Sequence, residues 1–312
     1  MMASMLESTG ERLVPDQQRG ELVHAEHLAR YLYAAPLARG RSVLDAACGE
    51  GYGSAILAAA GAASVVGVDV DPETVEHARA RHGIDARRAD VADLPFDDGA
   101  FELVVSFETI EHVPDPERAL AEMRRVLSPE GTLVVSTPNA AEYLVASEFH
   151  VREFTPDELE SLLRAHFERV ELVYQQNWLT SAVLDPVAFA TGDEATSLDV
   201  DVRKTVAGEP GRELYAIAVC GGAGAVDLRA VAVAAGVDEA HRLSAELGEA
   251  HRLVREWNAR AVEAERLVDE WNARAVEAER QLAEARDARR LVEESLSWRL
   301  TAPLRALRRR RG

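Results

Sequence analysis

Between residues 40 and 220, short apolar runs alternate with stretches of mixed polarity. The runs Ser42–Ala47, Ser64–Asp69, Asp85–Asp90, Phe101–Phe107 and Thr132–Thr137 have the length and composition of strands. The segments between them, about 53–60, 72–82 and 116–127, read as helices, and so does 20–38 ahead of the first run. Strands and helices in alternation require crossover connections, which predicts a parallel sheet with helices on both faces. After Pro138 and Asn139, Thr155-Pro156-Asp157-Glu158 has the form of a capping box and opens a helix to about His166. Two further strands follow at about 167–175 and 213–220. The polar residues 177–212 between them are too many for a turn and predict a lid or loop insertion.

Past Gly221-Gly222-Ala223-Gly224 the period changes. Ala240, Leu243, Leu247, Ala250, Val254, Trp257, Ala261, Ala264, Val268, Trp271, Ala275, Ala278, Leu282 and Ala285 are spaced three and four apart without a break. That is a heptad seam, and within it LVREWNARAVEAER is followed by LVDEWNARAVEAER, a duplication of two heptads. The pattern predicts a coiled-coil helix over 238–296, joined by a linker at 223–237. Its partner is either a second copy or another protein; a helix folded back on the globular part is the alternative. Residues 297–312 then place six arginines among Trp298, Leu300, Leu304 and Leu307. Such a tail suits contact with an anionic membrane surface, although Pro303 interrupts a continuous helix and a disordered basic end fits equally.

Charge narrows the choice of partners. The net charge is −19, and setting the six tail arginines aside leaves −25 on the rest, so nucleic acid is not an expected partner. Lys204 is the single lysine, which excludes a phosphate-binding Walker loop and a Tyr-x-x-x-Lys dehydrogenase pair. Cys48 and Cys220 are too few for a disulfide framework. No apolar run reaches the roughly 18 residues of a membrane span, and the first residues lack the apolar stretch of a secretion signal, so a cytoplasmic location is expected.

Candidate chemistry gathers between residues 43 and 115. Val43-Leu44-Asp45-Ala46-Ala47-Cys48-Gly49-Glu50-Gly51-Tyr52-Gly53-Ser54 is a strand, a glycine-rich turn and a helix start. Gly49, Gly51 and Gly53 allow positive φ and close approach of a ligand. Their spacing differs from the dinucleotide G-x-G-x-x-G, and Asp45 ahead of them suits an ammonium better than a pyrophosphate. Asp69 closes the next strand, where a carboxylate can accept both ribose hydroxyls. Asp90 closes the third, positioned for an adenine amine, with the backbone of Val91 against the ring. Each acid alone is equally a solvated loop residue; three at successive strand ends point to an adenosyl cofactor carrying an amino-acid group.

These residues resemble motifs I to III of class I S-adenosylmethionine-dependent methyltransferases, over about 40–220. Leu94-Pro95-Phe96-Asp97-Asp98-Gly99-Ala100-Phe101 and Leu127-Ser128-Pro129-Glu130-Gly131-Thr132 are similar to that family's entries to its fourth and fifth strands. The resemblance implies a Rossmann-like α/β sheet over 40–222, mostly parallel with an antiparallel last strand, an N-terminal lid and helix over 1–39, and Phe107 beside the cofactor. A narrower likeness rests on Thr9-Gly10-Glu11-Arg12-Leu13-Val14-Pro15, Glu26-His27-Leu28-Ala29-Arg30-Tyr31, Phe107-Glu108-Thr109-Ile110-Glu111-His112 and Phe149-His150-Val151-Arg152-Glu153-Phe154-Thr155. It is to methyltransferases encoded with glycosyltransferases for bacterial surface polysaccharides. Ser297-Trp298-Arg299-Leu300-Thr301-Ala302-Pro303-Leu304-Arg305 also resembles the ending of polysaccharide-assembly proteins that carry coiled coils.

The implied reaction is in-line attack of an acceptor on a sulfonium methyl, with a general base adding about 10²–10⁴ for a hydroxyl acceptor. His112 is the candidate base, or else a packing residue after the fourth strand. Glu111 is placed to orient it or to bind acceptor. His150 and Arg152 form a second acceptor-facing position, or hydrogen-bond within a long loop; Glu11 and Arg12 are candidates for a lid. No histidine, cysteine and carboxylate cluster stands at metal-ligand spacing along the chain, which predicts a metal-independent reaction. The leading acceptor is a sugar hydroxyl of a glycan or glycolipid. A glycan phosphate, a small metabolite such as a quinone, and a scaffold with an idle domain are the alternatives.

Overall fold

The computed structural model describes residues 13–19, 21–143, 149–178, 180–190, 197–198, 202–205, 207–222, 228–235, 238–295, 297 and 300–301. The expected lid residues Glu11 and Arg12, and the tail residues Trp298, Arg299, Leu304, Arg305, Leu307 and Arg308 to Arg311, lie outside them. The chain divides into two compact units, Met1–Gly236 and Val237–Gly312.

In the first unit a short helix α1 (Pro15–Gln18) precedes α2 (Leu22–Ala38). Then β1 (Ser42–Ala46), α3 (Tyr52–Ala59), β2 (Ser64–Asp69), α4 (Pro72–His82), β3 (Asp85–Arg88), β4 (Phe101–Phe107), α5 (Pro116–Val126) and β5 (Leu127–Pro138) follow in order. The unit closes with α6 (Pro156–Arg164), β6 (Val170–Gln175), α7 (Pro186–Ala190) and β7 (Tyr215–Gly221). The seven strands lie in the order β3-β2-β1-β4-β5-β7-β6. The first five are parallel, and β7 runs antiparallel between β5 and β6. This is the expected Rossmann-like sheet, with the last strand inserted rather than added at the edge.

Alternation along the strands explains the two covered faces, because successive side chains point to opposite sides. Leu44, Val104, Leu133 and Val135 join Leu120, Met123, Leu159 and Leu163 in one core. Val43, Leu103, Val105 and Val134 join Tyr31, Ala34, Leu37 and Leu57 in the other. The capping box at α6 is present in full, with Thr155 Oγ1 accepting from the Glu158 amide and the Glu158 carboxylate from the Thr155 amide.

Several boundaries differ from expectation, two of them in ways that bear on the site and the sheet. Strand β3 stops at Arg88, so Asp90 does not end a strand; it is exposed and accepts from the Ala92 amide at 2.9 Å. Strand β5 starts at Leu127 because Leu127 pairs with Phe101 and the register then shifts before Thr132 pairs with Leu103. An irregularity of that kind has no signature in apolar spacing.

The second unit is one helix, α8 (Asp238–Glu294), 57 residues long and so about 85 Å at 1.5 Å per residue. Arg252 bridges Glu249 and Glu256, Arg266 bridges Glu263 and Glu270, and Arg280 bridges Glu277 and Glu284. These three clusters repeat every fourteen residues, extending the sequence duplication by one period. They support the helix locally through neighbours three and four residues apart. Val254, Trp257, Val268 and Trp271 on the seam are exposed.

Candidate active site

Strands β1, β2 and β4 end along one edge of the sheet, the edge at which open parallel sheets bind ligands. The turn after β1 is shaped by what stands behind it. Gly51 has φ +93°, and a Cβ there would lie 2.8 Å from Ala78 Cβ; a Cβ on Gly53 would lie 2.0 Å from the Tyr31 ring. Gly49, with φ +54°, has nothing within 4 Å where its Cβ would stand, so the turn opens in front of it. Glu50, buried in the same turn, is held by His77 Nε2 at 2.9 Å and His82 Nε2 at 3.2 Å from α4.

Asp69 ties the turn to β2: one carboxylate oxygen accepts from the Gly49 amide at 3.1 Å and the other from the Asp71 amide at 3.0 Å. Asp45 is wholly buried. It accepts from Tyr31 Oη at 3.1 and 3.3 Å and from Ser54 Oγ at 2.6 Å, linking β1 to α2 and α3. Burial pushes its carboxyl up to about 6, against the donors that favour the ionised form. Val91 is buried beside Asp90, and Phe107 packs edge-on to Tyr31 with ring centres 5.0 Å apart.

The second half of the site follows β4. Glu108 takes φ +49°, outside the comfortable range for a residue with a side chain, and is secured by its amide and carboxylate to Ser136. A 3-10 turn, Ile110–His112, comes next. Glu111 is 1% exposed; one oxygen accepts from Thr137 Oγ1 at 3.1 Å, and the other, Oε1, has no hydrogen-bond partner among the described residues. Such an unmade bond costs about 1–3 kcal/mol. Burial first, and then the Glu108 charge, hold the Glu111 carboxyl well above the usual carboxylate range.

His112 Nε2 lies 4.0 Å from Glu111 Oε1, and its Nδ1 is 3.1 Å from the Phe149 carbonyl. A carbonyl only accepts, so Nδ1 is the donor in that contact. The Glu111 carbonyl accepts from the Val151 and Arg152 amides, which draws the loop after β5 inward. His150 thereby stacks edge-on to His112 at 5.0 Å, and its Nδ1 lies 3.4 Å from Glu153. Donor atoms of Glu111, His112 and His150 all fall within 4.8 Å of one another. Linear spacing concealed this cluster, because it depends on hydrogen bonds between residues 149–152 and the turn after β4. The Arg152 guanidinium is over the Phe154 ring instead.

The model of the family described as methyltransferase domain matches residues 44–135. A probable S-adenosylmethionine-dependent methyltransferase of Mycolicibacterium smegmatis is 39% identical over 174 residues, which cover 54% of this chain and 67% of the relative. The chain belongs to the S-adenosylmethionine-dependent methyltransferases. A relative of the same description from Mycobacterium tuberculosis is also 39% identical, over 51% of this chain and 60% of its own length. An O-methyltransferase of Penicillium expansum is 33% identical over 41% of this chain and 51% of its own. The chain thus spans little more than half to two thirds of these relatives.

The cofactor is S-adenosylmethionine, and the open space before Gly49 beside the Asp69 carboxylate fits it. Several residues that shape the site had gone unrecognised in the sequence. Tyr31, Ser54, Glu50, His77 and His82 hold the turn from behind, and Glu108 marks the bend after β4. Arg30 is buried over the Tyr215 ring, 3.9 Å from Glu108. Among these, Ser54 alone had a legible signal, a hydroxyl just inside the helix that starts at the glycine turn.

Proposed function

We propose that this protein is an O-methyltransferase acting on a sugar hydroxyl of a cell-surface glycan or glycolipid. The observation that carries the O-methyl reading is the pairing of a glycine turn and Asp69 at one strand end with His112 and Glu111 at another. Bound S-adenosylmethionine supplies an electrophilic methyl group on sulfur. Asp69 and the turn hold the cofactor; His112 Nε2 takes the hydroxyl proton as the oxygen attacks, and Glu111 orients the imidazolium. The Phe149 carbonyl keeps the ring in the tautomer this requires. Alignment and exclusion of water provide most of the remaining rate.

The sugar acceptor is supported by the likeness of residues 107–112 and 149–155 to polysaccharide-linked methyltransferases. In the same reading, α8 pairs through its seam with a second helix, from its own copy or from a glycosyltransferase. The basic tail then meets the inner face of the membrane, where lipid-linked glycans are assembled. Calorimetry with S-adenosylmethionine and turnover with sugar acceptors test the proposal together. His112→Ala is expected to leave cofactor affinity within about twofold and to lower turnover about 10²–10⁴-fold. Near-normal turnover would remove the base and favour a phosphate acceptor, which needs none.

A further inference from the structure

Glu111, His112 and His150 converge from two separate segments, and each has its other polar atom already fixed. Glu111 uses one oxygen on Thr137, His112 turns Nδ1 to the Phe149 carbonyl, and His150 turns Nδ1 to Glu153. What each brings to the common point is an atom a metal can bind, one carboxylate oxygen of Glu111 and one ring nitrogen of each imidazole. Histidine ligands of metal sites ordinarily show this arrangement, with the second nitrogen on a backbone carbonyl or a carboxylate. The independent sign of a missing ligand is Glu111 Oε1, almost wholly buried and without a hydrogen-bond partner among the described residues.

We propose that Glu111, His112 and His150 bind one divalent first-row transition ion, of the zinc or cobalt kind. Two neutral imidazoles and one carboxylate suit such ions better than magnesium or calcium, which favour all-oxygen shells. The three donor atoms lie within 4.8 Å of one another and must draw in by about 1 Å or less to reach ordinary metal–ligand distances of roughly 2.0–2.1 Å. Three protein ligands leave positions open, as in catalytic rather than structural sites.

For what the ion does, this rests on the methyl-transfer reading; for its binding, it does not. An acceptor hydroxyl on the open position loses its proton to solvent, since the ion lowers the hydroxyl's pKa. The oxygen keeps the electron pair of the broken O–H bond and uses it to form the new O–C bond. The pair of the breaking C–S bond leaves with sulfur. With the ion bound, His112 is a ligand and the ion activates the acceptor; the base role of His112 belongs to the metal-free site.

The test uses the full chain, stripped with chelator and titrated with Co²⁺ for visible absorption and Zn²⁺ for calorimetry. One ion per chain is expected, with the Co²⁺ bands of a site containing nitrogen and oxygen ligands. His150→Gln and Glu111→Gln should each weaken binding at least tenfold, whereas His166→Gln, on the pair with Glu117, should leave it unchanged. S-adenosylmethionine calorimetry on the same samples reports that each variant is folded. Paramagnetic broadening of the His112 and His150 ring resonances by Co²⁺ places the ion without any substitution. Absence of saturable binding, or binding indifferent to both variants and to those resonances, would overturn the site. Cofactor binding retained in that case would leave the methyltransferase reading standing.

Discussion

Tyr31 Oη lies 3.1 Å from one oxygen of Asp45 and 3.3 Å from the other, so the helix ahead of the sheet holds a carboxylate near the end of the first strand. The Asp45 carboxyl stands at about 6 in the folded protein, above its ordinary 3.8, because burial outweighs its hydroxyl donors. A carboxyl that holds its proton more tightly when folded adds stability below its unfolded value. That contribution declines as pH rises from about 3.8 to about 6 and is flat beyond. At about 1.36 kcal/mol per pH unit, the change is on the order of 3 kcal/mol. Urea unfolding of the wild type and of Asp45→Asn at pH 4, 5, 6 and 7 checks it. The stability difference should move against the wild type over that window and then level. Parallel pH profiles would show that Asp45 ionises at its ordinary value.

Tyr31 also sets the limit on the glycine turn. A Cβ at Gly53 would sit 2.0 Å from Tyr31 Cζ, nearer than any packing tolerates. Gly53→Ala should therefore destabilise the protein by about 1–3 kcal/mol and weaken S-adenosylmethionine binding as the turn is displaced. Combining it with Tyr31→Ala should restore part of the loss, since the two residues share one contact and their effects do not add. Thermal unfolding of the four proteins of this cycle gives the coupling; strict additivity would mean the turn and ring do not touch.

The sheet was legible because its signal is local: apolar runs of strand length, helix-length spacers, and the Thr155–Glu158 capping box. The glycine turn and Asp69 were legible as candidates for a related reason, since Gly49, Gly51 and Gly53 come soon after β1 and Asp69 ends β2. The acceptor half was only partly so. Glu111 and His112 are adjacent in sequence, but their meeting with His150 depends on backbone bonds from Val151 and Arg152 to Glu111, which no spacing rule encodes. Asp90 failed as a strand end because β3 gives out two residues earlier. Glu108 left no trace, because a positive φ at a residue other than glycine is imposed by its surroundings.

The seam of α8 bears the last prediction. Val254, Trp257, Val268 and Trp271 lie at heptad positions and are exposed on the described helix, while Arg252, Arg266 and Arg280 are engaged in pairs along the helix itself. A single helix of this length gains nothing from that apolar stripe unless another helix covers it. Sedimentation of the full chain across a range of concentrations should show self-association, with tryptophan emission shifting to the blue as Trp257 and Trp271 leave water. Replacing both with serine should abolish the shift and favour the monomer, while S-adenosylmethionine binding by the first unit stays within about twofold. Monomer at every concentration would leave the seam to a different protein. Self-association unchanged by the double replacement would show that these tryptophans do not form the contact.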